Sequence, residues 1–177
     1  LVLGAHLAAA GDAQFTRLAQ AADKAAAGAL RKAIAAGDLA SRAGATLLLR
    51  GVAGLAAERV LLVNLGDKSA FSETAFLGAA RAVANALKDL GAKDAVLALD
   101  ARVASRSPAW NARHAVLAMR EAFYRFDELK TGKKPAAPAL ASVTLVAEGP
   151  TPATAKAVAE AVATADGADL ARRLGNL

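Results

Sequence analysis

Residues that could do chemistry are few and scattered along this chain. The only histidines, His6 and His114, are far apart, and there is no cysteine. No His/Cys group therefore falls at metal-ligand spacing, and both histidines read as ordinary surface or core residues. Lack of cysteine also removes thiolate chemistry and disulfides, and it suits a reducing compartment. No Gly-x-Ser-x-Gly elbow is present, and Ser69, Ser72, Ser105, Ser107 and Ser142 fall in expected turns, caps or a strand. Ser72 reads as a helix N-cap with Glu73 in the first turn. Gly66-Asp67-Lys68-Ser69, between a strand and a helix, approaches a phosphate loop but departs from the signature. Leu62 stands where the first glycine belongs, Asp67 splits the Gly-Lys pair, and its carboxylate would repel phosphate. Asp127 and Glu128 beside Lys130 read as a solvated, ion-paired helix end. Asp166 and Asp169, ahead of Arg172 and Arg173, read as intrahelical pairs rather than as a catalytic carboxylate pair.

Charge is the one uneven feature. The 177 residues hold 22 Lys+Arg against 16 Asp+Glu, a net charge of +6. Most of that excess lies in Ala101–Lys134, where Arg102, Arg106, Arg113, Arg120, Arg125, Lys130, Lys133 and Lys134 face only Glu121, Asp127 and Glu128. Such a segment could contact phosphates in a salt-sensitive way, with Arg102, Arg106, Lys130, Lys133 and Lys134 as the candidate nucleic-acid contacts and DNA as the candidate partner. Aromatic content of 4% and the lack of a helix-turn-helix or RNA-binding signature favour a solvated face instead.

The elements that must position these groups alternate between strand and helix. Leu1–Ala5 is an apolar run with a strand pattern. Asp12 is expected to cap a helix from about Ala13 to Ala36, with the stripe Phe15, Leu18, Ala22, Ala26, Leu30 and Ile34, ended by Gly37. Thr46–Val52 and Arg59–Leu65 read as an antiparallel strand pair. Ser72 opens a helix with the stripe Phe76, Ala80, Val83 and Leu87, stopped at Gly91. Ala95–Leu99 is a central strand, and Pro108 starts a helix expected to reach about Leu129. After a turn-rich linker, Lys130–Pro138, come a strand over Leu140–Ala147 and a last helix from Pro152 to about Leu174, followed by Gly175. This alternation implies a layered α/β domain, with helices on both faces of strands that are apolar on both sides. Hydrophobic content of 55% excludes a disordered chain. The longest uncharged run, Pro135–Ala147, contains two prolines and is too short to span a bilayer, so no membrane partner is expected.

Two stretches resemble a known family. Tyr124-Arg125-Phe126-Asp127-Glu128-Leu129-Lys130-Thr131-Gly132-Lys133-Lys134 is similar to the Y-x-F-D-x-L-K-[ST]-x-K stretch that closes the N-terminal domain of leucyl aminopeptidases, the cytosol aminopeptidase family. Ala165–Leu177 resembles the connecting helix ending L-x-N-x-P-P just before their catalytic domain. Looser matches are Gly37–Leu49 and Arg59–Gly66, the latter with Asn64 where the family usually has glycine.

The resemblance implies a macro-like domain, a mixed β-sheet sandwiched between helices, over residues 1–163, with 164–177 as the start of the segment leading to a catalytic domain. It implies that catalysis sits in that further domain. There two divalent metal ions, manganese or zinc, are held by Asp, Glu and Lys side chains, beside a catalytic Lys and Arg in motifs of the N-T-D-A-E-G-R type. None of those motifs occurs here, so no catalytic or metal residue and no cofactor is assigned to this chain. Leu1 is not Met, and Leu177 stands where the family continues to Pro-Pro, so the chain is expected to be part of a longer protein. The reading that follows is a non-catalytic domain that supports assembly and substrate access in a cytoplasmic two-metal exopeptidase. That enzyme would remove N-terminal residues from peptides, and the domain's partners would be its own C-terminal catalytic domain and the other subunits of a homo-hexamer. The alternative is a DNA-binding module acting through residues 101–134. A macro-like fold also brings ADP-ribose to mind, but Gly66–Ala70 is a short loop with a single glycine.

Overall fold

The computed structural model describes residues 1–8, 13–129, 131–132, 136–147 and 151–177. The chain runs β1 (Val2–His6), β2 (Gln14–Phe15), α1 (Arg17–Ala25), α2 (Ala29–Ala35), β3 (Thr46–Arg50), β4 (Arg59–Asn64), α3 (Glu73–Asp89), β5 (Asp94–Ala98), α4 (Pro108–Phe123), β6 (Ser142–Leu145) and α5 (Pro152–Asn176). The sheet order is β3-β4-β1-β5-β6. Neighbours along β4-β1-β5-β6 are parallel, and β3 runs antiparallel to β4, with Thr46 opposite Val63 and Arg50 opposite Arg59. β5 pairs only with Val2 and Leu3 of β1. The rest of that edge is taken by β2, antiparallel, with Ala5 opposite Phe15 and His6 opposite Gln14.

The two-residue alternation of the strands builds two cores. On one face Leu3, Ala5, Val60 and Leu62 pack against Ala19 and Ala22 of α1 and Leu30 and Ile34 of α2. On the other, Val2, Leu61, Val63 and Leu97 pack against Ala79, Val83 and Leu87 of α3, and Met119 of α4 joins them. Helices thus cover both faces, as expected for strands that are apolar on both sides. The stripe Phe76, Ala80, Val83 and Leu87 is buried throughout. α5 lies outermost and makes its extensive contact with α4.

Strand limits shift by one or two residues, and larger differences fall at the helices and β6. The helix expected over 13–36 is two helices preceded by β2, because Ala27 (φ 50°) and Gly28 (φ 80°) take left-handed conformations that end α1. One apolar stripe survives the break because both helices pack on the same sheet face. The cap of α1 is Thr16, whose hydroxyl accepts from the Ala19 N–H; Asp12 lies outside the described residues. α4 ends at Phe123, where Tyr124 turns extended (ψ 133°), so Phe126 is off the helix. β6 covers 142–145 rather than 140–147. α5, expected to reach about Leu174, runs through Gly175 to Asn176.

Candidate functional site

Parallel strands send their carboxyl ends to one edge of the sheet, where α/β domains commonly bind ligands. Here that edge gathers His6, Asn64, the turn Gly66–Ser69, Asp100, Arg102, Arg106 and Asn111. Asn64 is fully buried and entirely occupied. Its Oδ1 accepts from the N–H groups of Gly66 (2.8 Å) and Leu7 (3.3 Å), and its Nδ2 donates to the carbonyls of Ser41 (2.8 Å) and Ala40 (3.1 Å). One side chain thereby ties the exits of β1 and β4 to the segment leading into β3. This role escaped the sequence reading, where Asn64 registers only as a departure from a family glycine.

The turn after β4 closes on itself. Asp67 Oδ1 accepts from both the N–H and the hydroxyl of Ser69, each at 2.8 Å. These bonds hold the Asp67 carboxyl below its ordinary range. The acceptors a phosphate would replace are supplied internally, in keeping with a turn rather than an anion loop. His6 is buried against Phe71, ring centroids 5.0 Å apart and edge-on, with Nδ1 3.3 Å from the Gly66 carbonyl. Burial pushes its imidazole below the usual value, opposed by that carbonyl.

Beyond β5, Asp100 Oδ2 accepts from the Leu18 N–H at the start of α1 (2.9 Å). Asn111 Nδ2 donates to the Ala101 carbonyl (2.8 Å). The second oxygens of both side chains, Asp100 Oδ1 and Asn111 Oδ1, are buried with no hydrogen-bond partner, and both residues line a cavity with Phe76, Leu99 and Leu145. Its enclosed space of about 40 Å³ is water-sized and far too small for a nucleoside.

The structure separates the basic segment. Arg106 makes a two-pronged contact with Glu73 (Nε–Oε1 2.7 Å, Nη2–Oε2 3.0 Å), which lowers the Glu73 carboxyl and raises the guanidinium. Arg120 of α4 reaches Asp166 (2.6 Å) and Asp169 (3.0 Å) of α5. Arg125 pairs with Asp127 (2.6 Å), and Arg113 lies 3.8 Å from Glu160. Arg173 pairs with Glu128 at 2.6 Å. The intrahelical pairing expected for Asp166 and Asp169 is thus mainly interhelical, because both carboxylates face α4, and only the 3.6 Å contact of Asp169 with Arg172 stays within the helix. Arg102 is exposed, with no hydrogen bond or ion pair among the described residues. Lys130, Lys133 and Lys134 lie outside the described residues. Of the five candidate nucleic-acid contacts, the structure brings only Arg102 and Arg106 to one loop, and it engages Arg106.

Among the described residues, Asp23, Glu73, Asp100, Glu128, Asp166 and Asp169 are likewise committed to arginines or helix starts. Among the described residues no group of three or more His, Cys, Asp or Glu could hold a metal ion, so these residues do not fit a two-metal centre. No helix of the described residues is long and apolar enough to cross a membrane.

A mixed sheet between helices defines an α/β domain, and comparison with known proteins identifies which. Over 99% of its length the chain superimposes on 35% of a tomato leucine aminopeptidase mutant, with a TM-score of 0.74 at 22% identity. It superimposes equally fully on 31% of the bottromycin maturation enzyme BotP in complex with Mn, with a TM-score of 0.61 at 25% identity. Residues 2–133 match the model of the cytosol aminopeptidase family, N-terminal domain. The chain belongs to this family. It is 39% identical over 170 residues to a probable cytosol aminopeptidase of Nitrosospira multiformis and 37% identical over 167 residues to that of Nitrosomonas europaea. In each case 93% of this chain is covered but only 33% and 34% of the relative, so the chain spans about a third of their length.

Proposed function

We propose that this chain serves as the non-catalytic N-terminal domain of a longer cytoplasmic aminopeptidase. In that protein a C-terminal domain would hold two divalent ions, manganese or zinc, and remove N-terminal residues from peptides. The domain would support a homo-hexameric assembly and shape access to its active sites, with residues 1–163 as the domain proper and 164–177 leading onward. The observation that carries the reading is the match of residues 2–133 to the family's N-terminal domain. The commitment of Asp23, Glu73, Asp100, Glu128, Asp166 and Asp169 to helix starts or arginines supports it, because two-metal hydrolysis needs carboxylates free to bridge ions. The test is hydrolysis of leucine p-nitroanilide with added Mn²⁺ or Zn²⁺. The 177-residue chain is expected to be inert while a polypeptide of the relatives' length turns over. Metal-dependent turnover by the pure 177-residue chain overturns the reading.

A second reading, duplex DNA binding through residues 101–134, rests on the exposed, unpaired Arg102. Engagement of all five basic candidates would give log Kobs a slope of about −4.5 against log salt. A slope shallower than about −2, or no binding at low salt, rules it out.

A further inference from the structure

Two oxygens beyond the carboxyl end of β5 are left over once the rest of their side chains is accounted for. Asp100 Oδ2 accepts from the Leu18 N–H at 2.9 Å, and Asn111 Nδ2 donates to the Ala101 carbonyl at 2.8 Å. A carbonyl only accepts, so the Asn111 amide has one orientation, and its Oδ1 is the atom turned away. Asp100 Oδ1 and Asn111 Oδ1 are both buried without a hydrogen-bond partner, and both residues line one cavity with Phe76, Leu99 and Leu145. Folded proteins seldom leave such acceptors unmet. The enclosed end of the cavity, about 40 Å³, admits a group of water size. Two arginines line the same cavity. Arg106 is held by Glu73 through two bonds, whereas Arg102 is exposed, with no hydrogen bond or ion pair among the described residues.

Two acceptors and apolar walls define what the enclosed end can take. A phosphate or carboxylate would set oxygen against oxygen there. A metal ion asks for about four to eight ligands, and these two oxygens stand among Phe76, Leu99 and Leu145. A water supplies two O–H donors but leaves the Asp100 carboxylate without a counter-charge. A primary ammonium has the size of a water, N–H donors for both oxygens and the opposite charge. Arg102 adds the complementary demand, because an unpaired guanidinium at the open side suits a carboxylate. A cation within and an anion at the opening, across a space that holds few atoms, describe a small zwitterion.

We propose that this cavity binds a small free α-amino acid, of the size of glycine or alanine, with its ammonium between Asp100 Oδ1 and Asn111 Oδ1 and its carboxylate on Arg102. The apolar walls keep water from the ammonium, which strengthens its attraction to Asp100. The bound molecule spans three parts of the fold: Asp100, which anchors the start of α1, Asn111 of α4, and Arg102 in the loop between β5 and α4. It is a binding site, and no bond is made or broken there. Free amino acids are the class of product that the proposed peptidase reaction would release, yet the inference stands on the cavity and does not rest on that reading.

The test is a titration of the 177-residue chain with glycine, without added metal, followed by the backbone amide resonances of Leu18 and Ala101 and the side-chain amide of Asn111. Saturable shifts are expected with glycine and none with N-acetylglycine, which lacks the ammonium. Methylamine, which lacks the carboxylate, is expected to bind about tenfold more weakly than glycine. Asp100→Asn keeps an oxygen for the Leu18 N–H but turns an N–H donor into the cavity, and it is expected to weaken glycine binding by about tenfold or more. Arg102→Gln removes an exposed, unpaired charge, so the fold should be unchanged while glycine binding falls to the level of methylamine. No saturable shift with glycine overturns the proposal by assigning the two oxygens to water. Equal shifts with N-acetylglycine overturn it in favour of a simple anion site at Arg102. Glycine binding that survives Asp100→Asn also overturns it, since the ligand then lies elsewhere. Neither metal nor turnover enters the measurement, so the outcome stays readable whatever the peptidase assay returns.

Discussion

Asn64 carries more of the ligand-edge geometry than any charged residue, because four backbone groups from three segments converge on its amide. Removing it strands two N–H donors and two carbonyls in a buried place, at about 1–3 kcal/mol for each group that water cannot reach. Asn64→Ala is therefore expected to lower the unfolding free energy by about 3 kcal/mol in a urea titration with an unchanged m-value. A loss under about 1 kcal/mol would mean that water replaces the amide. His6 makes a second prediction. Its folded pKa is depressed, chiefly by burial, with Lys68 lowering it and Asp67 and the Gly66 carbonyl raising it. The unfolded chain thus binds a proton that the folded chain refuses, so stability is complete above the unfolded value of about 6.5 and falls as pH drops through the folded pKa. Stability should decline as pH falls below about 6.5, and His6→Gln should flatten that slope; an identical slope in the variant would falsify the assignment. Carboxylates held low by partners, Glu73 and Asp67, act only at more acidic pH. Little of this was legible in the sequence. A polar letter at a strand end reveals nothing of the three segments that meet on it, and the basic segment looked like a patch because its partners, Glu73, Glu160, Asp166 and Asp169, are remote in sequence.

Elements were far more legible than sites, since a strand or helix announces itself in a local period. Both β3–β4 pairing and the α3 stripe follow from such periods. Failures fell where a long-range contact decides. α1 and α2 share one stripe, and their separation depends on Asp23, whose carboxylate accepts from the Arg31 N–H (3.0 Å) to start α2 while Gly28 turns left-handed. The same corner receives the loop before β4. At Gly54, with φ 83°, a Cβ would stand 2.1 Å from the Ala25 carbonyl oxygen at the end of α1. Backbone cannot retreat as a side chain can, so Gly54→Ala should cost at least ~2 kcal/mol, steric conflict adding to the left-handed penalty of about 1–2 kcal/mol. A thermal midpoint within a degree of the parent would show that the loop has lifted away. Gly167 is the opposite case. It is exposed in mid-α5 with open space where a Cβ would go, so Gly167→Ala should stabilise the helix by about 0.5–1 kcal/mol. Loss of stability on that change would imply that α5 is not helical at 167.

At the scale of the molecule, cohesion is uneven. The sheet is gripped from both faces, with Val60, Leu62, Val63 and Val83 fully enclosed. α5 is held differently. Only Thr154, Ala161 and Ala165 of its 25 residues are buried, its extensive contact is with α4, and its polar ties include ion pairs with the partly exposed Arg113, Arg120 and Glu128. Alanine seams bury little apolar area and exposed ion pairs contribute at most about 1 kcal/mol each. Free energy of opening should therefore differ across the chain, because amides are protected only by the contacts that must break to expose them. Native-state exchange should find the amides of β1 and β4 opening only with global unfolding. Those of α5 beyond Ala165 should open several kcal/mol more easily, through a local step insensitive to low denaturant. Raising salt should loosen α5 further and leave the sheet amides unmoved, since screening reaches the surface pairs and not the apolar core. Should α5 and the sheet exchange at one common free energy, the domain is a single cooperative unit and its last helix needs no further support. Should they separate as expected, α5 is held to the domain by contacts that break independently of the sheet.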